Sequence, residues 1–417
     1  MRKSKRNKII ALIALIVAVG LGIWISIRWE AWFYNPDEEP YTVSTSPQRL
    51  LLTFGNDGEM SRYVSWMCDT IVHEDASLLL ANNDDTLNIK AIGEVFVSRA
   101  GKAAYYRAEM KNLKPNAEYH YAVETNGKTS AWHQFRTYNP KSDSFAFLFM
   151  GDVQDTIGGV ANRLLRNAVE SHPEVEFVAF GGDLTERPTD RFWAETFRSI
   201  DSVCTAMPVV NITGNHDYLK YLIRKCERRF ALVFPYYLKG MTERDDENHL
   251  FTLHYHNTDI FMLDSDRGIP SLYKQSCWLE DEMKKSNARN QIVMTHHPLY
   301  SVKRPNNNLT QRWMFNDIIV ENGAELVLQG HEHAYTRCAN SDEPMEGNSC
   351  KITDKPLYTV SHCSPKNYKI HPHKRFKPVL SGSRYYQVIK VSKNGITMLA
   401  FDANTNERVD SADVFSK

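Results

Sequence analysis

Hydrophobic positions along the chain fall into three regimes. The first, Ile9 to Ile27, is uncharged, with Gly20, Gly22 and Ser26 as its only weakly polar breaks. That is close to the roughly 20 residues a helix needs to cross a bilayer. From Tyr41 to about Tyr138, short β-type runs follow one another: RLLLTF, RYVSWMC, KAIGEVFVS, AAYYRAEM, EYHYAVET and AWHQFRT. Turn residues separate them, including Lys114-Pro115-Asn116, and Asn126-Gly127 can supply the positive φ of a tight hairpin. Short strands without a long helical pattern predict a β-sandwich.

From Ser144 the pattern changes to continuous apolar runs: FAFLFM, VEFVAF, PVVNIT, DIFMLD, QIVMT, AELVLQ and PLYTV. Between them lie longer segments, of which Ala161 to Ser171 and Leu309 to Asn322 read as helices. Strands that are apolar on both faces are covered on both faces, which predicts an α/β sheet. The segment YYQVIKVSKNGITMLAFDA predicts a further hairpin about Asn394-Gly395 at a sheet edge. The expected division is a basic segment at 1–8, an anchor at 9–27, a linker at 28–40, a β-sandwich at 41–138 and an α/β domain at 144–417.

Composition changes this picture little. The 417 residues carry a formal net charge of +0 and 42% hydrophobic residues, which suits a two-domain globular chain. Nucleic acid is not expected as a partner, because its binders carry a basic excess. Charge matters at the start, where Arg2, Lys3, Lys5, Arg6 and Lys8 precede the apolar run. Basic residues stay cytoplasmic, so the remainder of the chain is expected on the extracytoplasmic side, periplasmic or extracellular. Trp24, Trp29, Trp32, Phe33 and Tyr34 would sit at the outer interface. A cleaved signal peptide, with Ala18-Val19-Gly20 as its site, is the alternative and would release the protein. The apolar run continues past that site, which favours the anchor. None of the seven cysteines forms a C-x-x-C pair, so a zinc knuckle is not expected. Cys338 and Cys350 bracket a polar loop that a disulfide could close in an oxidising compartment.

The candidate chemistry lies where the strands end. Five apolar runs stop at Gly151-Asp152, Gly181-Gly182-Asp183, Gly214-Asn215-His216-Asp217, His296-His297-Pro298 and Gly330-His331-Glu332-His333. One Gly-Asp after a strand is more often a turn or a helix cap, and one His-x-His is commonly structural. Five such endings in this order are hard to assemble from caps and turns. Sites in open α/β sheets gather outside the carboxyl ends of the strands.

This series resembles the motif set of calcineurin-like metallophosphoesterases. HHPLYS and LVLQGHEHAYTR are similar to the catalytic core of the purple acid phosphatase branch, and LKPNAEYHYAVE and WHQFRT to its N-terminal fibronectin-like domain. The implied fold is an α/β (α+β) metallophosphoesterase sandwich, preceded by an all-β fibronectin/immunoglobulin-like domain and an N-terminal transmembrane helix. Position by position, the resemblance implies two divalent metal ions, Zn, Mn or Fe. Asp183 would bridge them, Asp152 and His333 would hold the first, and Asn215, His296 and His331 the second. His216 would protonate the leaving oxygen, with Asp217 orienting its ring. Two such cations clamp phosphate oxygens and acidify the attacking water. His297 could contact phosphate or support the site from behind, and Tyr218 and Tyr300 could line the cleft or simply pack. Glu332 is expected to point away from the metals.

Two positions depart from the branch. It usually has glycine two residues after the first aspartate and tyrosine three residues after the second; here stand Gln154 and Glu186. The tyrosinate gives that branch its colour and helps to keep iron trivalent, so this protein is expected to be colourless, with an optimum near neutral pH or above. The wider superfamily places histidine where Gln154 stands, so Gln154 would be a weaker ligand to the first metal, with Glu186 as the alternative. The implied activity is hydrolysis of phosphate esters, phosphomonoesters first, with a phosphodiesterase or nucleotide hydrolase as the alternative. A non-catalytic cell-surface binding protein is opposed by the retained His216 and by six unaltered ligand positions. Oligomeric state is not legible.

Overall fold

The computed structural model describes residues 2–82, 85–221, 223–236, 249–345, 347–350, 354–371 and 373–415. The first apolar run lies within one α-helix, Arg2–Phe33. Its Lys5–Glu30 stretch is 26 residues long, none of it is buried, and it is long and apolar enough to cross a bilayer. Residues 28–33 were expected in the linker, but they continue the helix. Nothing there breaks it before Pro36, and the extended segment begins at Tyr34.

Two sheets form the β unit that follows. Gln48–Gly55, Gly58–Met67, Lys102–Met110 and Ile92–Val97 lie side by side in one. Ser77–Asn82 and Asp85–Lys90 pair with Glu118–Thr125 and His133–Arg136 in the other. All six expected runs are strands. Asn126 and Gly127 take φ of 56° and 66°, as the tight hairpin requires. Alternation assigns the faces of the first sheet. Leu50, Leu52, Val64, Trp66, Ala104 and Tyr106 fill the core between the two sheets. Leu51, Met67, Ala103 and Tyr105 point the other way and join the large core of the second domain. With both faces buried, this sheet cannot end at the domain boundary. Gln48–Gly55 pairs in parallel with Val209–Asn211 through Thr53 and Val209, so a single 11-stranded sheet runs through both units.

In the second unit, Ser144–Met150, Val175–Phe180 and Val209–Asn211 are parallel neighbours in that shared sheet. A seven-stranded sheet contains the parallel strands Thr258–Leu263, Asn290–Thr295, Leu326–Gln329 and Leu357–Val360. Its faces also alternate. Ile260, Met262, Ile292, Met294, Leu326 and Leu328 pack toward the shared sheet. Phe261, Leu263, Val293 and Val327 pack with Leu279 and Phe315 of the helices Ile269–Lys285 and Leu309–Glu321. Helices Ala161–Ser171 and Asp190–Cys204 cover the shared sheet. The terminal hairpin, Tyr385–Ser392 and Gly395–Asp402, extends the shared sheet, and Arg408–Phe415 adds a further strand. The expected Cys338–Cys350 pairing involves the Cys350 side chain, which lies outside the described residues.

Candidate metal centre

The shared sheet and the seven-stranded sheet point their carboxyl ends into one place. The first delivers Asp152, Asp183, Asn215 and His216, and the second delivers His296, His331 and His333. Asp183, His296 and His331 present ligand atoms that all lie within 4.8 Å of one another. His296 Nε2 is 3.3 Å from Asp183 Oδ2, and His333 Nε2 is 3.4 Å from Asp152 Oδ1. Carbonyl groups hold the other ring nitrogens. His296 Nδ1 donates to Gly181 O (2.8 Å) and His333 Nδ1 to Lys366 O (3.0 Å), so each Nε2 is presented inward.

The backbone around these residues is strained in a consistent way. Asp152, Asp183, His331 and His333 have φ of 46°, 52°, 72° and 44°. Left-handed conformations at non-glycine residues cost about 1–3 kcal/mol each and persist only where the surroundings impose them. The flanking glycines make the room. A Cβ on Gly214 would stand 2.2 Å from Asp183 Oδ1, one on Gly330 2.5 Å from Asp152 Oδ2, and one on Gly182 2.7 Å from His296 Nδ1.

Electrostatics follow from burial and crowding. Burial pushes the Asp183 carboxyl up, but the neighbouring His296 and His216 charges hold it below the usual carboxylate range. Burial, then the charge on His296, pushes His297 down to about 3. Within the expected ligand set, Asp152 Oδ1, Asn215 Oδ1 and His296 Nε2 are buried without a hydrogen-bond partner among the described residues. Left unpaired, each costs about 1–3 kcal/mol. All three belong to the expected ligand set, and carboxylate, amide oxygen and imidazole together suit a divalent transition metal.

The remaining expected residues separate clearly. Among the described residues no hydrogen bond joins the Asp217 carboxylate to the His216 ring. Asp217 Oδ2 accepts the Gly214 N–H (2.8 Å) and closes the turn that carries His216. The ring is held instead by the main-chain carbonyl of Glu186, to which His216 Nδ1 donates (2.6 Å). The Glu186 carboxylate is paired with Lys366 Nζ (2.5 Å). His297 sits beside His331, its Nδ1 within 3.0 Å of Ser265 Oγ. Tyr218 turns its hydroxyl inward to Asp264, and Tyr300 donates to Asn340 Oδ1 (3.2 Å) between the guanidinium groups of Arg312 and Arg375. Both tyrosines are buried. Glu332 points away from the centre and accepts the Val302 N–H (2.6 Å).

The amide end of Gln154 lies 3.2 Å from Asp183 Oδ2 and 3.1 Å from Asp183 O. With its nitrogen turned there, the amide donates two hydrogen bonds. With its oxygen turned there, it faces two oxygens of Asp183, an arrangement that a shared cation would reconcile.

Two residues near the centre escaped the sequence reading. His362 is fully buried, neither ring nitrogen has a hydrogen-bond partner among the described residues, and its ring stacks on His333 at 5.2 Å. It follows the strand Leu357–Val360, so the strand-end rule could have found it. Tyr368 also stacks on the His333 ring, at 4.3 Å, and comes from a loop without a motif.

Comparison with known proteins agrees with this geometry. Residues 145–335 match the calcineurin-like phosphoesterase family, and residues 47–137 match the purple acid phosphatase N-terminal domain. The chain is 25% identical over 323 residues to purple acid phosphatase 5 of Arabidopsis thaliana, covering 70% of this chain and 71% of that one. It is 23% identical over 348 residues to phosphoenolpyruvate phosphatase of Allium cepa, covering 75% and 68% respectively. It is 23% identical over 261 residues to acid phosphatase type 7 of Homo sapiens, covering 57% of each. The protein is thus a phosphoesterase with a calcineurin-like catalytic domain. More narrowly, it is homologous to the purple acid phosphatases and carries their N-terminal domain.

Proposed function

We propose that the enzyme hydrolyses phosphomonoesters with two divalent metal ions, Zn, Mn or Fe. Asp183 would be shared between them, with Asp152, His333 and the Gln154 amide oxygen on the first and Asn215, His296 and His331 on the second. The observation that carries this reading is the convergence of unpartnered buried atoms, Asp152 Oδ1, Asn215 Oδ1 and His296 Nε2, from two different sheets. When bound, the ions supply positive charge to the phosphate oxygens and acidify the attacking water.

His216 does the proton work. Its Nδ1 hydrogen is committed to Glu186 O (2.6 Å), so only Nε2 can give a proton to a leaving group. That nitrogen lies 4.0 Å from Asp183 Oδ2, on the face of the ring turned toward the metal ligands. Water adds to phosphorus, the ester P–O bond breaks, and the leaving oxygen takes the His216 proton. Gln154 is preferred over Glu186 as the additional ligand because the Glu186 carboxylate is already occupied by Lys366. The test is phosphate release by metal-reconstituted full chain from p-nitrophenyl phosphate and from its bis-ester. Faster turnover of the monoester is expected; a faster bis-ester would make the enzyme a phosphodiesterase.

A further inference from the structure

The catalytic cleft has a wall that the phosphoesterase chemistry does not require. A cavity of about 460 Å³ is lined by Asn215 and His216 on one side and by Glu30, Tyr34 and Asn35 on the other. Glu30 belongs to the last turn of the anchor helix, and Tyr34 and Asn35 are the first residues beyond it. The apolar run ends at Ile27, so these residues lie at headgroup level when the helix spans a bilayer. The cleft therefore opens in the interfacial layer.

The connection between anchor and cleft is fixed rather than loose. Asn35 Nδ2 donates to Lys220 O (2.7 Å), and Asn35 Oδ1 accepts the Lys220 N–H (2.7 Å). Arg99 donates to Pro36 O (2.6 Å). Glu38 accepts the Asp190 N–H (2.8 Å) and pairs with the buried Arg229 (3.1 Å). Residues 35–38 are thereby bound to the catalytic domain and, at Pro36, to the β unit, which sets the distance from bilayer to site.

Charge in the same cavity points to an anion. Arg187, Lys220 and Arg224 line it together with the catalytic residues. Among the described residues no carboxylate pairs with Arg187 or Lys220, and Arg224 approaches Asp266 only at 3.6 Å. Burial lowers the Lys220 ammonium from its ordinary range, and Arg187 and Arg224 lower it further against the opposing charge of Glu186, so cations outnumber the carboxylates of Glu30 and Glu186 along this wall. Glu186 also faces the cavity but is neutralised by Lys366.

We propose that the substrate is a lipid phosphomonoester presented by the membrane that holds the anchor, its headgroup drawn into the cleft by Arg187, Lys220 and Arg224. This rests on the phosphoesterase reading and specifies its substrate class. The lipid tail stays in the bilayer beside the helix, and the phosphate rises past Tyr34 to His216. Water forms the new P–O bond, the P–O bond to the lipid breaks, and the lipid oxygen takes the His216 proton. The attacking water releases one proton in exchange, and the products are inorganic phosphate and a lipid alcohol.

The test uses full chain reconstituted in phosphatidylcholine vesicles that contain phosphatidic acid or a polyprenyl phosphate. Glycerol 3-phosphate and p-nitrophenyl phosphate serve as soluble comparators. Phosphate release from at least one lipid should follow its surface mole fraction rather than its bulk concentration, and should exceed release from glycerol 3-phosphate. Arg187→Ala and Lys220→Ala should each lower kcat/KM on that lipid about tenfold, the loss of one charge-assisted contact. Hydrolysis of p-nitrophenyl phosphate with neither lipid attacked overturns the proposal and leaves the phosphoesterase reading intact. So does a rate that tracks bulk concentration, or faster turnover of glycerol 3-phosphate. If no ester is hydrolysed, the phosphoesterase reading falls and this one with it.

Discussion

Replacing Gly214 with alanine should disable the centre without unfolding the protein. The backbone there, φ −123° and ψ 175°, is extended and open to any residue, so alanine meets no conformational penalty. The penalty is space. The new Cβ would stand 2.2 Å from Asp183 Oδ1 and 2.3 Å from Asp183 N. Neither atom can yield freely. Oδ1 accepts the His216 N–H (2.7 Å), and the Asp183 carbonyl accepts the Gln154 N–H (3.0 Å). Restoring ordinary contact at 3.4 Å moves the two loops apart by about 1.2 Å. A misplacement of about 1 Å costs on the order of 100-fold in rate, and overpacking costs about 1–3 kcal/mol of stability. We therefore expect kcat/KM to fall about 100-fold, with bound metal lost as well. Gly268→Ala is the control, because its Cβ meets only Pro270 Cδ at 3.9 Å. Metal content by mass spectrometry and turnover of p-nitrophenyl phosphate measure the effect. A Gly214→Ala protein that keeps its metals and stays within about threefold of wild type would refute the reasoning.

His216→Ala should lower kcat by about 10²–10⁴ on an alkyl phosphate and far less on p-nitrophenyl phosphate, whose leaving group needs little protonation. Equal losses on the two esters would remove His216 as the proton donor. Glu227 is buried with its side chain against Arg229, and burial, opposed by Arg229, raises its carboxyl from 4.5 to about 7. Its folded value lies above its unfolded one, so its stabilising share is complete below about pH 4.5 and is lost as pH rises through about 7. Glu227→Gln should flatten the fall in stability of the full chain in detergent between about pH 4.5 and 7, read by urea unfolding; an unchanged pH dependence would refute it. Metal-loaded protein should lack a visible charge-transfer band, since Glu186 stands at the tyrosine position and Tyr218 is turned to Asp264; a purple preparation would contradict this.

The parts of the fold legible in sequence were those with one-dimensional signatures. Continuous apolar strands and glycine-terminated strand ends located both sheets of the second unit and the whole convergent set, Asp152 to His333. The hairpin Ser77–Asn82 and Asp85–Lys90 was missed because it is polar on its outer strand, whose residues are mostly exposed. Helix Ile269–Lys285 was missed because its apolar positions, Leu272, Leu279 and Met283, are sparse among charged ones. Long-range partners were least legible. The carbonyl that holds His216 comes from Glu186, thirty positions earlier, and Lys366 reaches Glu186 across 180 positions. Hydrogen bonds of that kind leave no local spacing to read. The continuation of the β-sandwich into the catalytic sheet was hidden likewise, because it depends on one strand pairing, Thr53 with Val209.

That pairing bears on why the centre can hold its shape. Four left-handed residues, at about 1–3 kcal/mol each, together represent strain comparable to the net stability of a domain. A strand free at its edge would be the easiest place for such strain to relax. Here Val209–Asn211, which leads to Asn215 and His216, has a neighbour on both sides: Val175–Phe180 on one and Gln48–Gly55 of the β unit on the other. The same β-unit sheet buries its second face in the catalytic core through Leu51, Met67 and Tyr105. The buried Arg229 adds an ionic tie between Glu38 and Asp190. The N-terminal unit thus acts mechanically on the site as an extra strand neighbour and a packed face. It holds the loop that carries the proton donor at a fixed distance from the loop that carries Asp183.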